Sequence, residues 1–127
     1  VIAIVSDERV IRFVEVTCGR PIVPPYSCVG VERDGEIVTG VVFNHYTGCD
    51  VHVTVAGSAW PRGGMADLGD YVFSRLKCER MTIVTEQPKV IRLVERLGGQ
   101  LEGLMRNHFG PGRDGFLAGI LKSEWPF

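Results

Sequence analysis

His52 is the first residue in this chain whose type and setting suit chemistry. It lies in the run Asp50–Ala56, where Val51, Val53 and Val55 alternate with His52 and Thr54. Strict alternation marks a strand with one buried face, so His52 is expected opposite the three valines. An imidazole there titrates near neutrality and can accept a proton from a reacting group. His45 and Glu32 fall on neighbouring predicted strands and are alternative bases. His108 falls in a stretch rich in Gly and Pro, where it could meet an acceptor or solvent. The acidic residues form no spaced pair of the kind that cleaves glycosides. Cys18, Cys28, Cys49 and Cys78 make no CxxC pair, and His45, His52 and His108 do not supply zinc-site spacing. Reduced, partly buried thiols and no metal are therefore expected.

A second signal follows the same strand. The segment Gly57–Gly64 carries Trp60, Pro61, Arg62 and a glycine pair, and from Met65 the apolar period becomes helical. Amides at a helix start are unpaired and share the field of the helix dipole, so they attract anions. Gly63 and Gly64 permit close backbone approach, and Arg62 adds a charged fork of donors. A plain glycine turn before a helix has the same appearance.

The elements that must position these residues can be read along the chain. Val1–Val5 is a predicted strand. Ser6 is placed to cap a helix, with Asp7 and Glu8 in its first turn, Val10, Phe13, Val14 and Thr17 at helical spacing and Gly19 as the stop. Pro21, Pro24 and Pro25 make the connection extended. Ser27–Glu32 and Ile37–Tyr46 are strands joined by Asp34-Gly35, a strong hairpin signal. Met65, Leu68, Val72 and Leu76 share one helical stripe, and Arg80–Thr85 is a short buried strand. A further helix starts near Pro88, buries Val90, Ile91, Val94 and Leu97, and ends at Gly98-Gly99. Gln100–Arg106 and Phe116–Lys122 are a closing strand pair around a loop, Asn107–Gly115. The order β-α-β-β-β-α-β-α-β-β mixes hairpins with helical crossovers, so a mixed α+β sheet is expected.

The 127 residues, 45% hydrophobic and 23% charged, suit one packed domain over 1–127. A net charge of -1 gives no general attraction to nucleic acid or to acidic membranes. The apolar Val1–Val5 lacks a basic flank and is too short for a signal peptide or a span, so a cytoplasmic protein is expected.

One ordered set of residues goes further. The stretch from Thr85-Glu86-Gln87-Pro88 through Leu101-Glu102-Gly103 resembles the carboxyl-terminal part of the GCN5-related N-acetyltransferases, with Arg92-Leu93, Leu97-Gly98 and Leu101-Glu102-Gly103 in register. Asp70-Tyr71, Phe73 and Leu76 resemble the helix after that family's phosphate loop. Gly112-Arg113-Asp114 through Trp125 resembles the closing strand and tail of small phage-type and bacterial members.

The resemblance implies an acyl-CoA N-acyltransferase-like fold that binds acetyl-CoA as co-substrate between Asp50–Ala56 and Arg80–Thr85. It implies pantetheine contacts at Val53, Thr54 and Val55, with the pyrophosphate on Arg62, Gly63, Gly64, Met65 and Ala66. Gln87 stands where the family carries Asn, and the phosphate loop is one residue short. Val94 stands where the family carries the Tyr that protonates the thiolate. An amine of unread identity, small molecule or peptide, would attack the thioester, with His52 as the candidate base. A CoA-binding module without turnover is the alternative. The resemblance also points to a homodimer covering Trp125 or Phe127. The rival is that both aromatics fold back on their own sheet.

Overall fold

The computed structural model describes residues 2–57 and 60–127. Val1 of the expected first strand, and Ser58 and Ala59 of the expected phosphate loop, lie outside the described residues. The chain runs β1 (Ile2–Val5), α1 (Glu8–Cys18), β2 (Tyr26–Arg33), β3 (Glu36–Asn44), β4 (Asp50–Gly57), α2 (Gly64–Gly69), a π-helical segment (Asp70–Arg75), β5 (Arg80–Thr85), α3 (Pro88–Arg96), β6 (Gln100–Gly110) and β7 (Arg113–Leu121). The strands form one mixed sheet in the order β1-β2-β3-β4-β5-β7-β6. All neighbours are antiparallel except β4 and β5.

The helices divide between the two faces. On one face α2, the π segment and α3 bury Leu68, Val72, Phe73, Ile91 and Val94 against Val41, Phe43, Val51, Val53, Met81, Ala118 and Ile120. The other face is covered only over β2–β4, where Ile11 and Val14 of α1 pack with Ile22, Val42 and Ala56.

Four local expectations need correction. Asp7, not Ser6, caps α1: its carboxylate accepts from the Arg9 amide at 2.9 Å. His45 and Tyr46 lie beyond β3, which ends at Asn44, and His45 takes a left-handed φ of 54°. The helix after the loop changes to π-helical winding at Asp70, where the Trp125 indole lies against Gly69 so closely that a Cβ there would collide with it. The expected loop Asn107–Gly115 is instead the end of a long hairpin that turns only at Pro111-Gly112. Its polar residues serve a bulge: Asn107 is left-handed, its amide donates to Asp114 at 2.8 Å, and its side-chain oxygen accepts from Gly112 at 2.9 Å.

Candidate active site

The site begins where two parallel strands part. β4 is paired with β3 along its length, from Asn44↔His52 to Thr39↔Gly57. With β5 it makes only Asp50↔Arg80, Val51↔Met81 and His52↔Thr82. Beyond that point the edge of β4 that faces β5 has no ladder partner among the described residues, and backbone polar groups left so need another partner or water. The consequence shows in the valines: Val51 and Val53 are buried, whereas Val55, on the same face, is 41% exposed.

The gap opens into a groove of about 440 Å³. Val53–Gly57 and Ile83–Gln87 form its throat, Met65, Leu68, Val90 and Val94 wall one side, and Arg20 and Phe109 stand at another. Of the residues expected from sequence, Val53, Thr54, Val55, Met65 and Gln87 line this groove. Arg62, Gly63 and Ala66 are not among its lining residues, and Gly64 is buried against Trp60 and Pro61, lining a separate cavity behind α2.

Gly63 is the cap of α2, at a φ of 79° that favours glycine. Gly64 donates to Pro61 and Asp67 to Gly63, which leaves the Met65 and Ala66 amides of the first turn without a backbone acceptor among the described residues. Gln87 caps α3 in position but not by a side-chain bond, and Pro88 follows it as expected.

His52 sits at the last β4–β5 pair, at the foot of the throat rather than among the groove residues. Its ring meets His45 edge-on at 4.8 Å between centroids. Burial, and then the neighbouring His45, push its pKa below the usual histidine value of 6.5, so it is a free base at neutral pH.

Beside it lies a polar network on the α1 face of the sheet, beyond the part that α1 covers. Thr82 donates to Asp50 at 2.7 Å and accepts from Arg80 at 3.1 Å. Arg80 also forks onto Glu102 at 2.7 and 3.2 Å, which raises the Arg80 pKa further. A bulge between Leu101 and Gly103 gives β6 the register shift at Glu102. Gly119 has no side chain to obstruct the pair, where a Cβ would strike Arg80.

Several groove residues carry no functional signal in the sequence. Trp60 and Leu68 read there as packing, Trp125 as a tail aromatic for a dimer contact or for its own sheet, and Phe109 as part of a loop. Arg20 gives no signal at all, since its guanidinium meets the Phe109 ring, at 4.9 Å, only through the fold. Glu32, the other alternative base, is held by Arg9 in an ion pair at 2.5 Å. Val94 is buried and lines the groove, so the position resembling the family's Tyr does face it. Among the described residues, no three His, Cys, Asp or Glu side chains converge as metal ligands, and no helix is long and apolar enough to cross a membrane. The four cysteines are free.

A mixed seven-stranded sheet with a parallel pair that parts midway, one helix on one face and two on the other, is the acyl-CoA N-acyltransferase fold of the GCN5-related N-acetyltransferases. Solved structures with this fold include spermidine N-acetyltransferase from Vibrio cholerae, in a dodecameric structure, with a TM-score of 0.72 and 17% identity over 96% of this chain and 94% of that one. Mutant forms of the spermidine/spermine N-acetyltransferase of Vibrio cholerae give a TM-score of 0.71 and 18% identity over 97% and 96%. A probable acetyltransferase gives 0.64 and 20% over 79% and 63%. No protein-family model matches the chain, and no curated protein matches it in sequence.

Proposed function

We propose that this protein transfers an acetyl group from acetyl-CoA to an amine. The observation that carries the reading is the parting of β4 and β5 after His52↔Thr82, which leaves an unpaired strand edge along an open groove. The likeness in fold to N-acetyltransferases supports it.

When bound, acetyl-CoA supplies an activated acyl carbon and a thiolate leaving group. Val53, Thr54 and Val55 offer backbone partners to the pantetheine amides. The free Met65 and Ala66 amides, with Arg62 and Gly63 beside them, receive the pyrophosphate. Gln87 borders the groove from the start of α3. The new C–N bond forms as the C–S bond breaks. His52 takes the amine proton, through water because it lies below the groove, and solvent protonates the thiolate because Val94 has no proton to give. The enzyme works in the cytoplasm, where its four thiols stay reduced.

A homodimer completes the reading. Trp125 folds back on Phe73 of its own chain, while Phe127 stays 66% exposed and the β6 edge carries exposed Leu101 and Leu104. Sedimentation of the wild type and Phe127→Ser checks this, with a dimer that weakens in the variant expected.

Release of free CoA thiol from acetyl-CoA, followed against a panel of amines, tests the transfer. Amine-dependent release with an acetylated product is expected. Acetyl-CoA binding without turnover of any amine would leave a CoA-binding module instead.

A further inference from the structure

The acidic side chains around the groove and the bare sheet face are already occupied. Asp50 and Glu102 are held by Arg80, and Glu32 by Arg9. Glu86, at the groove, is forked by Arg113 at 2.6 and 3.1 Å. Arg20 is close enough to Glu86 to help Arg113 lower that carboxyl's pKa, but it is paired with none of these groups. It is half-buried at the groove, its guanidinium lies over the Phe109 ring, and it makes no ion pair among the described residues. Stacking on an aromatic face fixes the guanidinium plane and strips part of its water while leaving its N–H edge free. Such a group is a ready partner for a carboxylate, which it can grip through two parallel hydrogen bonds.

The chain around Arg20 packs by the far end of β4. Cys18 and Ile22, on either side of Arg20 in sequence, pack in the cluster that contains Ala56. Ala56 is two strand residues beyond Thr54, roughly 7 Å at the usual rise per residue. Thr54 is near the point where the strands part, and there the proposed reaction takes place.

We infer that the acceptor is an amine that also carries a carboxylate several bonds from its nitrogen, and that Arg20, braced by Phe109, binds that carboxylate. The inference rests on the acetyltransferase reading. A polyamine would bring its second cation to Arg20, with the nearby carboxylates Glu86, Asp50 and Glu102 already paired. An ω-amino acid brings the missing charge.

Three amines of equal chain length separate the possibilities: 6-aminohexanoate, hexylamine and 1,6-diaminohexane. Steady-state CoA release is measured for each with the wild type, Arg20→Gln and Arg20→Lys, and acetyl-CoA binding to each protein is measured by calorimetry. The expected result is a kcat/KM for 6-aminohexanoate at least roughly tenfold above the other two, the scale of one charged hydrogen-bonded contact. Arg20→Gln should erase that preference, Arg20→Lys should keep part of it, and acetyl-CoA affinity should be unchanged in both.

Equal rates for the three amines, or preference for the diamine, would overturn the inference. So would a loss of acetyl-CoA affinity in Arg20→Gln, which would make Arg20 a phosphate ligand. Acetyl-CoA binding with no turnover of these amines also overturns it and leaves cofactor binding standing. No acetyl-CoA binding at all overturns the proposed function itself.

Discussion

The two faces of the sheet do different work. One is dry: α2, α3 and the tail bury a continuous cluster from Val41 to Ile120, and the one buried side-chain nitrogen or oxygen without a partner among the described residues is the Trp125 indole nitrogen. The other is dry only under α1. Beyond α1 it carries His52 of β4 and the Asp50–Thr82–Arg80–Glu102 network, and across β5, β7 and β6 no helix of the described residues packs on it. One sheet therefore supplies a rigid back wall and a polar working front. The parted strands, closed by neither face, join the two.

Substitutions on the two faces should have different consequences. The largest effect is expected on the working face. Replacing His52 by Gln should lower kcat by about 10²–10⁴ if it is the base. In the wild type the rate should hold constant at neutral pH and fall only as pH drops below 6.5, because burial and His45 depress this group's pKa and the proton-accepting form is lost only there. A profile that falls already near pH 8, or an unimpaired His52→Gln, would move the base elsewhere.

On the back wall the loss should be in stability instead. Met81 is 2% exposed at the centre of the cluster, and Met81→Ala should cost about 2–5 kcal/mol in urea unfolding. Leu117 is only half-buried, on the working face, and Leu117→Ala should cost well under half as much. Equal costs would mean that the bare face is covered in solution, for instance by a second chain.

A smaller contrast concerns two glycines. A Cβ at Gly69 would collide with Trp125, whereas nothing lies within 4 Å of one at Gly103. Gly69→Ala should cost about 1–3 kcal/mol and shift the tryptophan emission as the tail is displaced. Gly103→Ala should be neutral within about 1 kcal/mol. The smallest effect belongs to Glu86→Gln. It removes an exposed fork onto Arg113 and should leave the urea unfolding midpoint essentially unchanged, since solvent screens such a pair.

Much of the fold is legible in the sequence. The element order can be read because each strand alternates or is bounded by turn residues, and each helix has a cap or stop that its residues announce. Asp34-Gly35, Gly19 and Pro88 act as their types require. The family resemblance, rather than any local pattern, points to the gap between β4 and β5, where the groove lies. The misread pieces share a cause. Asn107, Gly110, Pro111 and Gly112 have loop composition, but Asp114 and the Asn107 side chain satisfy the bulge, so the hairpin continues. The Trp125 contact at Gly69 and the Arg20–Phe109 contact join residues from distant parts of the chain. No local pattern encodes them.

Titrating acetyl-CoA into the protein by calorimetry probes the gap between β4 and β5 as a cofactor site. One molecule should bind per chain, and binding should raise the melting temperature because only the folded state has the groove. Absence of heat and of any thermal shift at millimolar acetyl-CoA would mean that the gap is not a cofactor site.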